Sequence, residues 1–285
     1  MSSPAAVCPA RFGGPRPAGG VWLTAVIVAL WPVWSWSVDR FRDGSDEPWG
    51  LVAIAALGAL TWRDRQSFTR PPRPLWRLVA SMLVCGAVVT SGWLPPLLRG
   101  VCASLAVVAV LMAVRARGYP LLPHLMLALL SLPILSSLQF YLGYPVRVVT
   151  AGASAAILSA AGFVAERSGS ALTVNGTLVI VDAPCAGIHM AWAAYFTASV
   201  AGAWLRLDPR RFVTRLSLVG LIVLGMNVCR NVVLVALESR PTGLSAVWHE
   251  LTGLMAFVVV CSATLWHMGR CTSASAVVHR SGAIS

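Results

Sequence analysis

Residues 176–205 read GTLVIVDAPCAGIHMAWAAYFTASVAGAWL. The second part of this stretch, Ala186 to Leu205, is apolar throughout, with no Asp, Glu, Lys or Arg. About 20 such residues are what a helix needs to cross a bilayer. The first part is different. Residues 171–181 alternate around Asn175-Gly176, the dipeptide of a type I′ hairpin turn. A short β-hairpin is therefore expected to lead into a membrane helix. Cys185 stands at the junction, with Asp182 expected as the N-cap and Pro184 in the first turn. A thiol at a helix start faces the positive end of the helix dipole and unpaired N–H groups, which favours the thiolate. The competing reading is that Cys185 is a small apolar packing residue.

The rest of the chain has the same character. Of its 285 residues 57% are hydrophobic and 11% charged, the composition of a polytopic membrane protein. The net charge of +12 does not indicate nucleic acid, because the arginines lie in short loops between apolar runs. The seven cysteines, at 8, 85, 102, 185, 229, 261 and 271, include no C-x-x-C pair. Neither a zinc site nor a dithiol is indicated, and no motif calls for a cofactor.

Residues 1–20 read as a disordered basic tail. Apolar runs follow at Gly20–Val38, then 49–62, 75–94, 97–114, 121–142, 186–205, 216–237 and from Trp248 onward. Three basic loops (63–73, Arg115/Arg117 and 206–215) are assigned to the cytoplasm by the positive-inside rule. Run 121–142 then travels outward and run 186–205 inward. The segment between, Val146 to Ala165, must begin and end outside, and is expected as an interfacial or re-entrant helix. The resulting expectation is an all-α fold with about eight transmembrane helices, an outer-face interfacial helix and a short β-hairpin. Both termini lie inside a multi-pass cell (inner) membrane protein. The organisation expected is an N-terminal helical region (21–120), a catalytic membrane region (121–268) and a cytoplasmic tail (269–285).

Two further features stand out. Asn227-Val-Cys-Arg230-Asn231 lies inside an apolar run, where an arginine is costly and marks a functional site unless it pairs with an acid or snorkels. Asn227 and Arg230 share a helix face. Trp248-His249-Glu250-Leu-Thr-Gly253 opens the last run at the same outer level, with His249 and Gly253 on one face. Glu250 is a candidate partner for the His249 imidazole or for Arg240. His189, one turn past Cys185, is a second candidate base, expected to point deeper into the membrane. Cys185, His249 and Arg230 are the side-chain types of acyl transfer: a nucleophile, a proton carrier and a cation for the developing oxyanion.

The trio resembles the exosortase/archaeosortase family of membrane cysteine transpeptidases. The matching elements are Cys185-Ala186-Gly187, Asn227-Val-Cys-Arg230 and His249 with Gly253, within about residues 121–268. The chain departs from the family pattern at Ala186, where Ser is usual, and at His189, where many members carry Arg. The resemblance implies a catalytic set of Cys185, Arg230 and His249, supported by Asn227, Gly187, His189 and Gly253. It also implies the partners: exported proteins whose C-terminal tripartite tail joins a recognition motif, a membrane helix and a basic cluster. Cleavage would occur at the extracytoplasmic face of the lipid bilayer. The alternative is a non-enzymatic transporter or polysaccharide-export subunit in which Arg230 binds an anionic group.

Overall fold

The computed structural model describes residues 18–180, 187–238 and 246–270. The chain forms α1 (Ala18–Ala29), α2 (Trp31–Arg42), α3 (Trp49–Arg63), α4 (Pro74–Val89), α5 (Pro96–Val114), α6 (Leu122–Leu130) and α7 (Leu135–Ala160). Strands β1 (Ala165–Ser168), β2 (Ala171–Val174) and β3 (Thr177–Ile180) follow, then α8 (Ile188–Trp204), α9 (Pro209–Glu238) and α10 (Ala246–Gly269). Proline opens α2, α4, α5 and α6, where its fixed φ suits the helix and its missing N–H is not needed.

Two apolar runs that read as single helices are broken. The first run bends by 63° between α1 and α2, next to Pro32. Run 121–142 bends by 93° between α6 and α7, at residues 131–134, which contain Pro133. In both, proline denies the helix a donor and crowds the preceding turn. Helix α7 then continues unbroken to Ala160 with Pro145 inside it. The segment expected to be a separate interfacial helix is thus the far part of a long helix lying nearly perpendicular to α6. Its side chains Phe140, Tyr141 and Tyr144 are strongly exposed, as amphipathic aromatics are at a membrane–water interface.

Among the described residues, four helices are long and apolar enough to cross a membrane, or six if each bent pair is one span. The expected count of eight also takes α3, with 15 residues, and α8, with 17, as spans; the first is short of a crossing and the second is at its lower limit. Helix α8 is largely buried among other helices, whereas α3 buries only Gly50, Ala53 and Leu60 and leaves Leu51, Val52, Ile54 and Trp62 exposed. Helix α8 packs Met190, Ala194, Ala198 and Ala201 against Phe212, Val219 and Val223 of α9 and Ala256 and Val260 of α10. Its alanines and Gly202 let the backbones approach closely; the Phe212 ring fills the space that a Cβ at Gly202 would take.

The molecule has two distinct ends. At one, the three basic loops meet. Arg70 N–H donates to Val114 O, Arg73 N–H to Ala113 O and Ala116 N–H to Ser67 O, and Arg206 donates to Asp64. Arg215, near the start of α9, donates to the Met268 carbonyl at the end of α10. The other end holds the loop before α3, the α6–α7 corner, the sheet and the start of α8. There the Ser136 hydroxyl donates to the Ser45 carbonyl. Helices α3 and α8 run side by side from one end to the other, about 25 Å for 17 residues at 1.5 Å each.

The hairpin forms as expected, β2 pairing with β3 so that Val174 faces Thr177, with Asn175 and Gly176 both at positive φ (49° and 82°). The added strand β1 pairs antiparallel with β2. Leu172, Val174 and Val179 are buried against Ala151 and Leu158 of α7 and Leu234 and Val235 of α9. The sheet is thereby fixed over the C-terminal part of α9.

Candidate active site

Helix α9 carries the polar residues into the interior. Asn227 and Asn231 are buried. The Asn231 side-chain amide donates to the Asn227 carbonyl at 2.8 Å, and the Asn227 amide donates to the Thr150 hydroxyl of α7 at 3.3 Å. These bonds lock the turn of α9 that presents Arg230. Thr150 was not legible as a site residue; its only signal was a hydroxyl in a small-residue run.

The start of α8 lies on the same turn. Helix α8 begins at Ile188, capped by Gly187 in the left-handed conformation, φ +73°. That conformation suits a residue without a Cβ; the Asp182 N-cap and Pro184 first turn expected from the sequence lie outside the described residues. The glycine is required for a second reason. A Cβ at position 187 would lie 2.8 Å from Asn227 Cγ and 3.0–3.1 Å from its amide oxygen and nitrogen. The backbone two residues beyond position 185 is thus seated directly on the Asn227 amide. Cys185 itself, with residues 181–186, lies outside the described residues, as do residues 239–245, which include Arg240.

Arg230 reaches across to α10. Its Nη2 is 3.4 Å from His249 Nε2. A guanidinium only donates, so Nε2 is the acceptor here and the imidazole proton sits on Nδ1. The guanidinium also lies over Gly253, one turn further along the same face, where a Cβ would sit 3.6–3.9 Å from its atoms. Arg230 Nε is buried with no acceptor among the described residues. The imidazole partner seen is therefore Arg230 and not Glu250.

His189 departs from expectation. Rather than pointing into the membrane interior, its Nε2 donates to Glu47 Oε1 at 2.7 Å, with 41% of the side chain exposed. The other Glu47 oxygen accepts the Trp49 indole N–H at 2.6 Å. Trp49 lies beside the His189 ring and packs edge-on against Trp192 and Phe257. Nothing in the sequence singles out Glu47. Its pairing across 142 positions leaves no local signature.

His124 packs against Phe68 and Tyr119 at the end of the basic loops, and no cluster of three or more metal-ligating side chains occurs among the described residues. The arrangement thus gathers Gly187, Asn227, Arg230, His249 and Gly253 from three helices at the end opposite the basic loops, with His189 and Glu47 on the flank of α8.

The family model of the transmembrane exosortases (Exosortase_EpsH) matches residues 36–266. The chain belongs to this family. The match begins in α2 and ends in α10, so it takes in nearly all the helices and every residue of the site just described. No curated protein and no solved structure matches the chain. As an exosortase-family member with four to six candidate spans, it is a multi-pass membrane protein of a protein-sorting family.

Proposed function

We propose that this exosortase-family chain is a cysteine protease/transpeptidase that cleaves the C-terminal sorting tails of exported proteins at the extracytoplasmic face. Cys185 is the nucleophile, His249 the proton carrier and Arg230 the oxyanion partner. The observation that carries the reading is the Arg230–His249 contact on the α9 turn where Gly187 abuts Asn227. Cys185 precedes Gly187 by two residues, and two residues of chain reach at most about 7 Å.

In this reading the Cys185 sulfur attacks the scissile carbonyl. A C–S bond forms, and the carbonyl oxygen becomes an anion that the Arg230 guanidinium stabilises in a low-dielectric site. Without substrate, Arg230 occupies the lone pair of His249 Nε2. An anionic oxygen is the stronger acceptor, so substrate draws the guanidinium away and frees Nε2 to carry the thiol proton to the departing amine. The C–N bond breaks and a thioester remains. An amine or water then attacks it, releasing the sorted protein. Asn227 holds both the Arg230 turn and the backbone at Gly187, which makes it a positioning residue.

The test is Cys185→Ala, with an exported, tripartite-tailed reporter expressed in the same cells. Uncleaved reporter should accumulate in the membrane while the variant itself remains at parental level. Normal processing by Cys185→Ala would remove the nucleophile assignment. A non-enzymatic role for Arg230 predicts that outcome, together with loss of function in Arg230→Ala.

A further inference from the structure

The end of the molecule that gathers the basic loops holds a cavity of its own. A groove of about 510 Å³ runs between α4, α5 and α6. Trp76, Val79 and Leu83 line its α4 side, about 10 Å along the helix at 1.5 Å per residue. Leu105 of α5 and Leu125 of α6 belong to the same apolar wall. Among the lining side chains only Arg115, the residue after α5, is charged. The loop 63–73 is laced to this point, since the Arg73 N–H donates to the Ala113 carbonyl in the last turn of α5. Arg115 is half-buried. It donates to the Tyr119 carbonyl, while its Nε is buried with no acceptor among the described residues. Burial pulls the Arg115 pKa down, and the charge of Arg73 pulls it down further. Two cations are thus held together without an acid. Among the described residues neither pairs with a carboxylate, and Asp64, the buried acid of this end, is taken by Arg63 and Arg206. Residues 1–17 and 271–285 contain no Asp or Glu that could serve.

We propose that this groove binds an anionic phospholipid, with its phosphate between Arg115 and Arg73 and an acyl chain along Val79, Leu83, Leu105 and Leu125. The phosphate supplies the missing counter-charge, and its oxygens match the guanidinium fork. The apolar wall requires an amphiphile, because a soluble anion would leave that surface uncovered. Basic pockets between membrane helices recognise lipid headgroups in this way, and Trp76 has the amphipathic ring that sits at headgroup level. The same charge excludes the other apolar occupant of suitable shape. A substrate tail helix would bring its basic cluster against two arginines. A lipid seated here touches α4, α5 and α6 at once, and α6 packs on α8. It would therefore clamp the N-terminal helices to those of the candidate active site. The binding site lies at the opposite end from Arg230 and asks nothing of Cys185.

The experiment uses the full-length protein in an uncharged detergent. Phosphatidylglycerol, phosphatidylcholine with the same chains, and inorganic phosphate are titrated in turn. Unfolding temperature reports binding to the native state, and native mass spectrometry counts the lipid retained. Phosphatidylglycerol should raise the unfolding temperature and bind at least roughly tenfold more tightly than phosphatidylcholine, with little shift from inorganic phosphate. An arginine near a lipid headgroup contributes about fivefold in affinity. Arg73→Gln, which keeps the backbone bond to Ala113, should lose about that factor. Arg117→Gln, at an exposed neighbour outside the groove, should not. Leu105→Trp fills the groove, leaves both arginines in place, and should release the lipid. Equal shifts from the two lipids, unchanged by Arg73→Gln, would reduce the groove to an unselective bilayer contact and overturn the proposal. Equal losses in Arg73→Gln and Arg117→Gln would do so too, by showing a diffuse attraction to the basic end. A shift from inorganic phosphate as large as that from phosphatidylglycerol would make the ligand a soluble anion. Displacement of bound phosphatidylglycerol by a synthetic tail peptide carrying its basic cluster would give the groove to that helix. Either result also overturns the lipid assignment.

Discussion

Single side chains at the site divide into those that fill a space and those that need it empty, and the two glycines show the difference. Gly187 adopts φ +73° with Asn227 atoms at 2.8–3.1 Å from where a Cβ would be. Alanine there must strain the backbone by about 1–2 kcal/mol and displace a buried amide. Gly253 is helical, and a Cβ would meet Arg230 at 3.6–3.9 Å, ordinary contact distance. We therefore expect Gly187→Ala to lose reporter cleavage by at least roughly tenfold and Gly253→Ala to stay within about threefold of parent. Side-by-side processing time courses, normalised to enzyme level, check this; the reverse order would mean that Gly253 guards substrate access. Arg230→Lys addresses the guanidinium. An ammonium retains the charge but loses the planar fork that meets His249 and an oxyanion together. Cleavage should fall by about 10²-fold, the typical loss of one oxyanion donor, with membrane abundance unchanged. Arg230, His249, Gly253 and Asn227 were all legible in the sequence, because a charged or amide side chain inside an apolar run has to be explained. Glu47 and Thr150 were not, because a lone acid in a loop and a threonine among alanines are ordinary until the chain is folded.

Hydropathy located the helices but not their corners. The segment from 121 to 160 contains Pro123, Pro133 and Pro145, and composition alone does not say which proline breaks the helix. The answer lies in tertiary contact. At the 131–134 break the Ser131 carbonyl is pressed against Gly50 in the first turn of α3, so closely that a Cβ at position 50 would overlap it, and Phe41 closes the other side at 3.1 Å. Helix α7 continues through Pro145. The apolar run of α8 was readable as a helix, whereas the left-handed φ of Gly187 is encoded by no hydrophobic pattern. The α3 contact yields its own test. Gly50→Ala pushes on backbone, which cannot rotate aside, and overpacking of this kind costs about 1–3 kcal/mol. Gly58 lies in the same helix with nothing within 4 Å of its would-be Cβ, and alanine there gains up to about 1 kcal/mol of helix propensity. Thermal unfolding in detergent should place Gly50→Ala below parent and Gly58→Ala at or above it. An unaffected Gly50→Ala would mean that α3 is free to move away from the α6–α7 corner. Because α3 begins two residues after Glu47, Gly50→Ala should also weaken the Glu47–His189 pairing.

Across the whole molecule, the end opposite the site is closed by one carboxylate. Asp64 has only 4% of its side chain exposed and accepts from Arg206 at 2.7 Å and Arg63 at 3.2 Å. It also accepts the Tyr119 hydroxyl at 2.6 Å. These donors come from the end of α3 and from the loops following α5 and α8, so the N-terminal helices and the helices of the site are tied through a single residue. The arginines assigned to the cytoplasm by charge bias thus converge in space, which counting charges along the chain does not reveal. Burial pushes the Asp64 carboxyl up, but the hydrogen bonds from Tyr119, Arg206 and Arg63 outweigh it and hold the group at about 2. An unfolded Asp titrates near 3.9. The native state therefore releases this proton more readily than the unfolded chain. The stabilisation is complete above about pH 4 and disappears as the pH falls through about 2. The difference corresponds to about 2 kcal/mol. Unfolding temperature measured from pH 7 down to pH 2 should fall across that acid window in the parent. Asp64→Asn should begin lower at pH 7, because neutral amide replaces the anion between two guanidinium groups, and should be flatter below pH 4. Tyr119→Phe should lie between them, since it removes one donor and leaves both arginines. A parent profile with no drop between pH 4 and 2 would show that these segments are held by the surrounding apolar packing rather than by Asp64.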